Sequence, residues 1–233
     1  MQLLADPTAF PPDPPSDPDD APAIVAHDWE AFNAVEEMNN HWNRPGWANN
    51  TRAYYWMLTF PGARALIDQT RQCQGALSHL RLDNVDDDGL HVTLGRIARV
   101  GEASHEQLKG LAATAAKSMP DAFTFHAIPL TASRGAIRYS IAPWTTILTV
   151  HATLTAAGAN SGLPMSKPTS ILRPHLGIAY CNRSMPARIV RDAVQPLRDL
   201  EPVEVPVRHV QLVELRRENH AYRWNVVHSL ALR

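Results

Sequence analysis

Two imidazoles 84 positions apart, His91 and His175, are the side chains of this sequence best suited to chemistry. Of the eleven histidines, only His91 and His151 are followed two positions later by Ser or Thr, the spacing that puts two side chains on one face of a strand. Around His91, the apolar Leu90, Val92 and Leu94 alternate with His91, Thr93 and Gly95. An imidazole, a hydroxyl and a glycine therefore share a polar, open face while the three apolar residues turn to the core. His151 carries the same letters on another period. PWTTILTVHATLTAAG opens on Pro143, closes on Gly158 and sets Ile147, Leu148, His151 and Leu154 at three- and four-residue spacings, which predicts a helix. His175 has Gly177 where the hydroxyl would stand, yet Leu176, Ile178 and Tyr180 alternate with His175, Gly177 and Ala179 as in a strand. Two strands that each expose one imidazole among small neighbours leave a groove between them. In such a groove one ring can act as a base while the other acts as an acid. Imidazole, with an ordinary pKa of about 6.5, serves either role, and repulsion across a small gap favours one neutral and one protonated ring.

The elements that must hold these rings follow from periodicity and breakers. Residues 5–23, ADPTAFPPDPPSDPDDAPA, are dominated by Pro and Asp and predict a disordered lead over 1–27. From Asp28 a helical run is expected, then the aromatic turn HWNRPGW at 41–47, so that 28–50 forms an N-terminal appendage to a domain spanning 28–233. Strand AYYWMLTF at 53–60 follows, then a helix at about 62–80, an acidic loop from Asp83 to Gly89, strand LHVTLGRIARV and a helix at 103–118. Next come strands at 122–130 and 135–142 joined by ASRG, a helix at 144–157, and a polar loop at 158–170. The last third gives strand RPHLGIAY, a helix at 186–200, and strands VEVPVRHVQLVEL and YRWNVVHSLAL about the charged turn RRENHA. The order strand, helix, strand, turn, strand begins once at Leu90 and again at Arg173. This duplication predicts an α+β protein of two similar lobes of mainly antiparallel sheet with helices outside and a central groove.

Composition narrows the function classes. With 22 basic and 23 acidic residues the formal charge is −1, so global attraction to genomic DNA is not expected and nucleic-acid contact would need a local basic patch. Cys73 and Cys181 fall in no ligand spacing, which suits reduced thiols in a cytosol and argues against structural zinc. The N-terminus MQLLADPTAF has no basic region before a long apolar core, and no stretch approaches the length of a membrane span, so a cytoplasmic protein without a membrane partner is expected. No Walker loop, GxGxxG turn or GxSxG elbow is present.

HVTL at 91–94 and PHLGIAY at 174–180, in duplicated halves, resemble the paired motifs of the 2H phosphoesterases, the 2′-5′ RNA ligase and cyclic phosphodiesterase superfamily, over residues 53–233. The family pattern is His-x-Thr/Ser-x in each half. The first motif matches and the second departs at Gly177. The resemblance implies metal- and cofactor-independent chemistry on 2′,3′-cyclic phosphate or 2′-5′ linkages of nucleotides or RNA, with His91 and His175 as acid and base and Thr93 on the phosphate. The direction, hydrolysis or ligation, and which histidine is the base are left open. Gly177 lines the second motif without a hydroxyl, and Arg96 and Arg173 are the nearest cations to neutralise the phosphate. Two rivals use the same residues: a nucleotide- or RNA-binding protein that lost turnover through Gly177, and a metal site, for which neither strand offers a third ligand at a useful spacing.

Other features are weighed more lightly. Arg216, Arg217, His220, Tyr222 and Arg223 mix cations with aromatics as a single-strand contact would, or serve as a solubility turn. Trp42 and Trp47 flank a Pro-Gly turn, as a stacking platform or, more simply, a clamp on the N-terminal helix. The aspartates at 83 and 86–88 lack the spacing of a calcium loop.

Overall fold

The computed structural model describes residues 2–233. In chain order the elements are α1 (Ala21–Asn33), β1 (Glu37–Met38), β2 (Arg52–Thr59), α2 (Arg64–Ala76), β3 (Asp83–Asn84), β4 (His91–Arg99), α3 (His105–Ala116), β5 (Phe123–Ala132) and β6 (Ala136–Ala142). They continue through α4 (Thr145–Asn160), β7 (Leu176–Tyr180), β8 (Met185–Pro186), α5 (Ala187–Val194), β9 (Val203–Val207), β10 (His209–Glu218) and β11 (Ala221–Ala231). Local chemistry sets the helix ends. Asp20 accepts the Ala23 N–H at 2.8 Å to start α1, and Ser104 with Gln107 forms a capping box at α3.

The strands form two main sheets, ordered β11-β10-β2-β4 and β3-β7-β6-β5-β9, with every pairing antiparallel, and a small β1-β8 ribbon. The expected two-sheet α+β architecture is present, but the sequence repeats are not the sheets. The His91 strand, β4, joins β2 and the C-terminal hairpin β10–β11, whereas the His175 strand, β7, joins the β5–β6 hairpin that follows His91 in sequence. Each histidine strand thus sits with the hairpin of the other repeat. The expected single strand VEVPVRHVQLVEL is divided between sheets, with β9 ending at Val207 and β10 starting at His209. Where the sheets meet, β4 runs against β7. The α3–α4 pair packs on the four-stranded sheet, and α2 covers the Tyr139 face of the five-stranded sheet.

Helix α1 departs from the helices-outside expectation and starts at Ala21 rather than Asp28. Ser140 Oγ donates to Asp28 Oδ2 at 2.6 Å and Arg138 Nη2 to Asp28 Oδ1 at 3.2 Å, so α1 covers the Arg138 and Ser140 face of β6, opposite the Tyr139 face. Arg138 is paired with Gly177, which places α1 on the same face of this sheet as the His175 motif. The Pro/Asp segment is not a free lead. Arg173 donates to the carbonyls of Leu4, Pro11 and Pro12 at 2.7, 3.2 and 3.0 Å, Arg138 to that of Phe10 at 3.2 Å, and Leu4 N–H to Ser170 O at 2.8 Å. A proline-rich segment cannot form its own ladder, but its carbonyls accept hydrogen bonds, and two buried guanidinium groups supply the donors. Among the described residues no helix is long and apolar enough to cross a membrane.

Candidate active site

His91 opens β4, and His175 directly precedes β7. Their rings are held in the same way. His91 Nδ1 lies 2.7 Å from the carbonyl oxygen of Gly89, and His175 Nδ1 lies 2.9 Å from that of Arg173, each two residues back. A carbonyl can only accept, so Nδ1 carries the proton in both rings and Nε2 is left as the nitrogen with a free lone pair. Burial pushes both pKa values down. For His91 the Gly89 carbonyl opposes the shift, and for His175, lowered to about 4, the Arg138, His91 and Arg44 charges add to burial against the pull of the Arg173 carbonyl. His91 is among the charges that act on His175, so His91 lies within electrostatic reach of that ring.

Beyond each histidine a β-bulge changes which side chains share its face. On β4, Thr93 pairs with Met57, but Gly95 pairs with Trp56 and Arg96 with Tyr55, so one extra residue is inserted near Leu94. The expectation that Gly95 shares the His91 face is corrected. A Cβ on Gly95 would lie 2.9 Å from Met165 Sδ and 3.9 Å from His151 Nε2, toward α4, and Arg96 takes its place with His91 and Thr93. On β7, Gly177 pairs with Arg138 while Ala179 pairs with Ile137 and Tyr180 with Ala136. The bulge near Ile178 brings Tyr180 onto the His175 and Gly177 face, where strict alternation would have placed Ala179. In both strands the side chain five positions after the histidine joins it.

Arg173 is not at the groove. It is 6% exposed, its guanidinium is engaged by the Leu4, Pro11, Pro12 and Leu172 carbonyls, and a role on phosphate is withdrawn. Periodicity did not single out several groove residues. His41 stacks on Tyr180 with centroids 4.1 Å apart and its Nε2 lies 2.9 Å from Tyr222 Oη. Trp224 meets His91 edge-on at 5.4 Å, and Arg44 acts electrostatically on His41, Tyr55, His175, Tyr180 and Tyr222. The HWNRPGW and HAYRW segments were the available signal, because each clusters aromatics with a cation in a turn.

The charged hairpin turn is occupied by protein partners. Arg217 donates to the Trp42 and Trp47 carbonyls at 2.7 Å each, His220 Nδ1 lies 2.9 Å from Asp83, and Arg223 pairs with Asp86. Trp42 Nε1 donates to Asp83 Oδ2 at 2.8 Å. The tryptophan turn is therefore a clamp on this hairpin and on the acidic loop. Among the described residues no group of three His, Cys, Asp or Glu side chains is placed to hold a metal ion.

His151 lies in α4, fully buried, with Nδ1 2.7 Å from Thr169 Oγ1. Burial lowers its pKa to about 4, against a smaller pull from the Leu94 carbonyl. Because the folded value lies below the unfolded value of about 6.5, the neutral ring stabilises the fold. That contribution is fully present above about pH 6.5 and is lost as pH falls toward the folded pKa. His151→Ala is expected to lower stability by about 2 kcal/mol or more, to flatten the stability profile between these limits, and to leave turnover in place. Urea titrations at several pH values, with an activity assay, check this.

Residues 61–219 match the family model of the 2′-5′ RNA ligase superfamily. Among solved structures, E. coli LigT complexed with 3′-AMP is 16% identical with a TM-score of 0.55, the match covering 79% of this chain and 99% of LigT. TT0787 of Thermus thermophilus is 16% identical with a TM-score of 0.58, over 78% of this chain and 98% of that protein. At these identities the likeness is one of fold. No curated protein matches the sequence.

Proposed function

The chain belongs to the 2′-5′ RNA ligase superfamily, and from that membership and the paired imidazoles we propose that it acts on 2′,3′-cyclic phosphate or 2′-5′ linkages of nucleotides or RNA by two-histidine acid–base catalysis. The observation that carries this reading is the matched tethering of both Nδ1 atoms to carbonyls two residues back, which leaves two Nε2 atoms for proton transfer. In hydrolysis of a cyclic phosphate, one Nε2 takes a proton from water as its oxygen bonds to phosphorus. The protonated Nε2 of the other ring gives its proton to the ribose oxygen as the P–O bond breaks. Thr93 and Arg96, brought to the His91 face, contact the phosphate, and Arg44 adds a second cation. Trp224 and Tyr222 offer aromatic surface beside His91 for a base. That E. coli LigT is seen with 3′-AMP and with ATP supports a nucleotide substrate.

The test is incubation with 2′,3′-cyclic mononucleotides and a 2′-5′-linked dinucleotide, with and without EDTA. EDTA-resistant turnover to a single monophosphate isomer is expected. Binding without turnover would favour the nucleotide-binding alternative, for which the missing hydroxyl at Gly177 is the specific observation. Loss of turnover in EDTA would favour a metal site.

A further inference from the structure

We propose that the phenol of Tyr180 supplies the hydroxyl that Gly177 lacks, donating a hydrogen bond to the phosphoryl group held between His91 and His175. The inference rests on the acid–base function above and adds a substrate-binding residue to it. On the β4 side, His91 shares its face with the Thr93 hydroxyl; on the β7 side the equivalent place is empty of side chain, and the bulge near Ile178 turns Tyr180 into it. A Cβ built on Gly177 would lie 3.7 Å from Tyr180 Cε1, 3.8 Å from its Oη and 3.9 Å from its Cζ. The phenol oxygen therefore lies beside the place that a short hydroxyl side chain at 177 would take.

Four further observations fit a donor aimed at substrate. Tyr180 and His91 line the same small recess, together with Gly89 and Tyr222. Among the described residues Tyr180 Oη has no hydrogen-bond partner, and although the residue is buried its oxygen is not one of the fully enclosed unpaired polar atoms, so a donor is left over for a ligand. The ring is fixed by its stack on His41 and by edge contacts with Trp42 at 5.2 Å and Tyr222 at 5.5 Å, so little rotamer freedom is lost on binding. Burial raises the phenol pKa, which keeps the proton on the oxygen at neutral pH.

The experiment compares the wild type, Tyr180→Phe and the double variant Gly177→Ser/Tyr180→Phe. Position 177 has ordinary van der Waals room for a Cβ, so the serine can be accommodated. Tyr180→Phe is expected to lower kcat/KM for a 2′,3′-cyclic mononucleotide by about ten- to a hundredfold, the worth of a hydrogen bond to a charged oxygen, without a change in melting temperature. The added serine should recover most of that loss, which a packing role for the ring would not produce. Unchanged kcat/KM in Tyr180→Phe, or a loss that the serine leaves in place, would overturn the proposal. If the wild type itself does not turn over, the acid–base function fails and the hydroxyl is judged by calorimetric affinity for inorganic phosphate. Weaker binding in Tyr180→Phe, restored by serine, supports it, and equal binding overturns it.

Discussion

His91→Ala and His175→Ala are each expected to lower kcat/KM by at least about 10²- to 10⁴-fold, because each removes one of two proton transfers that the other ring cannot perform alone. His126→Ala, on β5 with a half-exposed ring near Glu204, is expected to keep wild-type activity. The two losses should not add in the double variant, since the rings act as a unit. The pH profile carries the sign of the pKa shifts. Turnover needs one protonated ring, yet burial and the Arg138 and Arg44 charges hold His175 down to about 4, and burial holds His91 below its usual value. The protonated fraction of the free protein therefore grows as pH falls, and kcat/KM should rise from about pH 8 to pH 6. A profile that falls over this range would mean that neither ring delivers a proton from the free protein.

Asp28→Ala is expected to cost about 3 to 5 kcal/mol of stability, the price of leaving a buried charge without its partner. The Asp28 and Arg138 side chains are only 3% and 2% exposed, and Ser140 donates to the same carboxylate. For a domain of ordinary stability, about 5 to 15 kcal/mol, this is a large part of the total. Replacing both by apolar residues, Asp28→Leu with Arg138→Met, should cost less than Asp28→Ala alone, because no ion is then stranded. Chemical denaturation of the three variants measures both claims. A single variant as stable as the wild type would show that water or a shifted α1 solvates Arg138.

Where one side chain's chemistry and a local period were enough, the sequence was legible. The strand at His91, the helix at His151 and the hairpin about residues 133–135 follow from alternation and spacing, and the structure has them. What escaped needed information carried by partners. Alternation assumes an unbroken pleat, so the bulges near Leu94 and Ile178, which bring Arg96 and Tyr180 to the histidine faces, could not be read from β4 or β7 alone. Composition marks residues 5–23 as unable to pair with themselves, and says nothing of Arg173 and Arg138 waiting in the fold to bind their carbonyls. Repeats in sequence suggested contiguous lobes, since nothing in a strand's own letters names the sheet it will join.

That exchange of hairpins between sheets also orders the way the chain can fold. β4 and β2 are synthesised early, but their sheet is completed only by β10 and β11, more than a hundred residues later. Contacts of such long range close slowly and give neither half of the chain a finished edge while it emerges. The groove that His91 and His175 share therefore belongs to the last stage of folding. Fragments cut between β6 and β7 should regain structure only when mixed, and a nascent chain would hold no complete four-stranded sheet until β10 and β11 have been made.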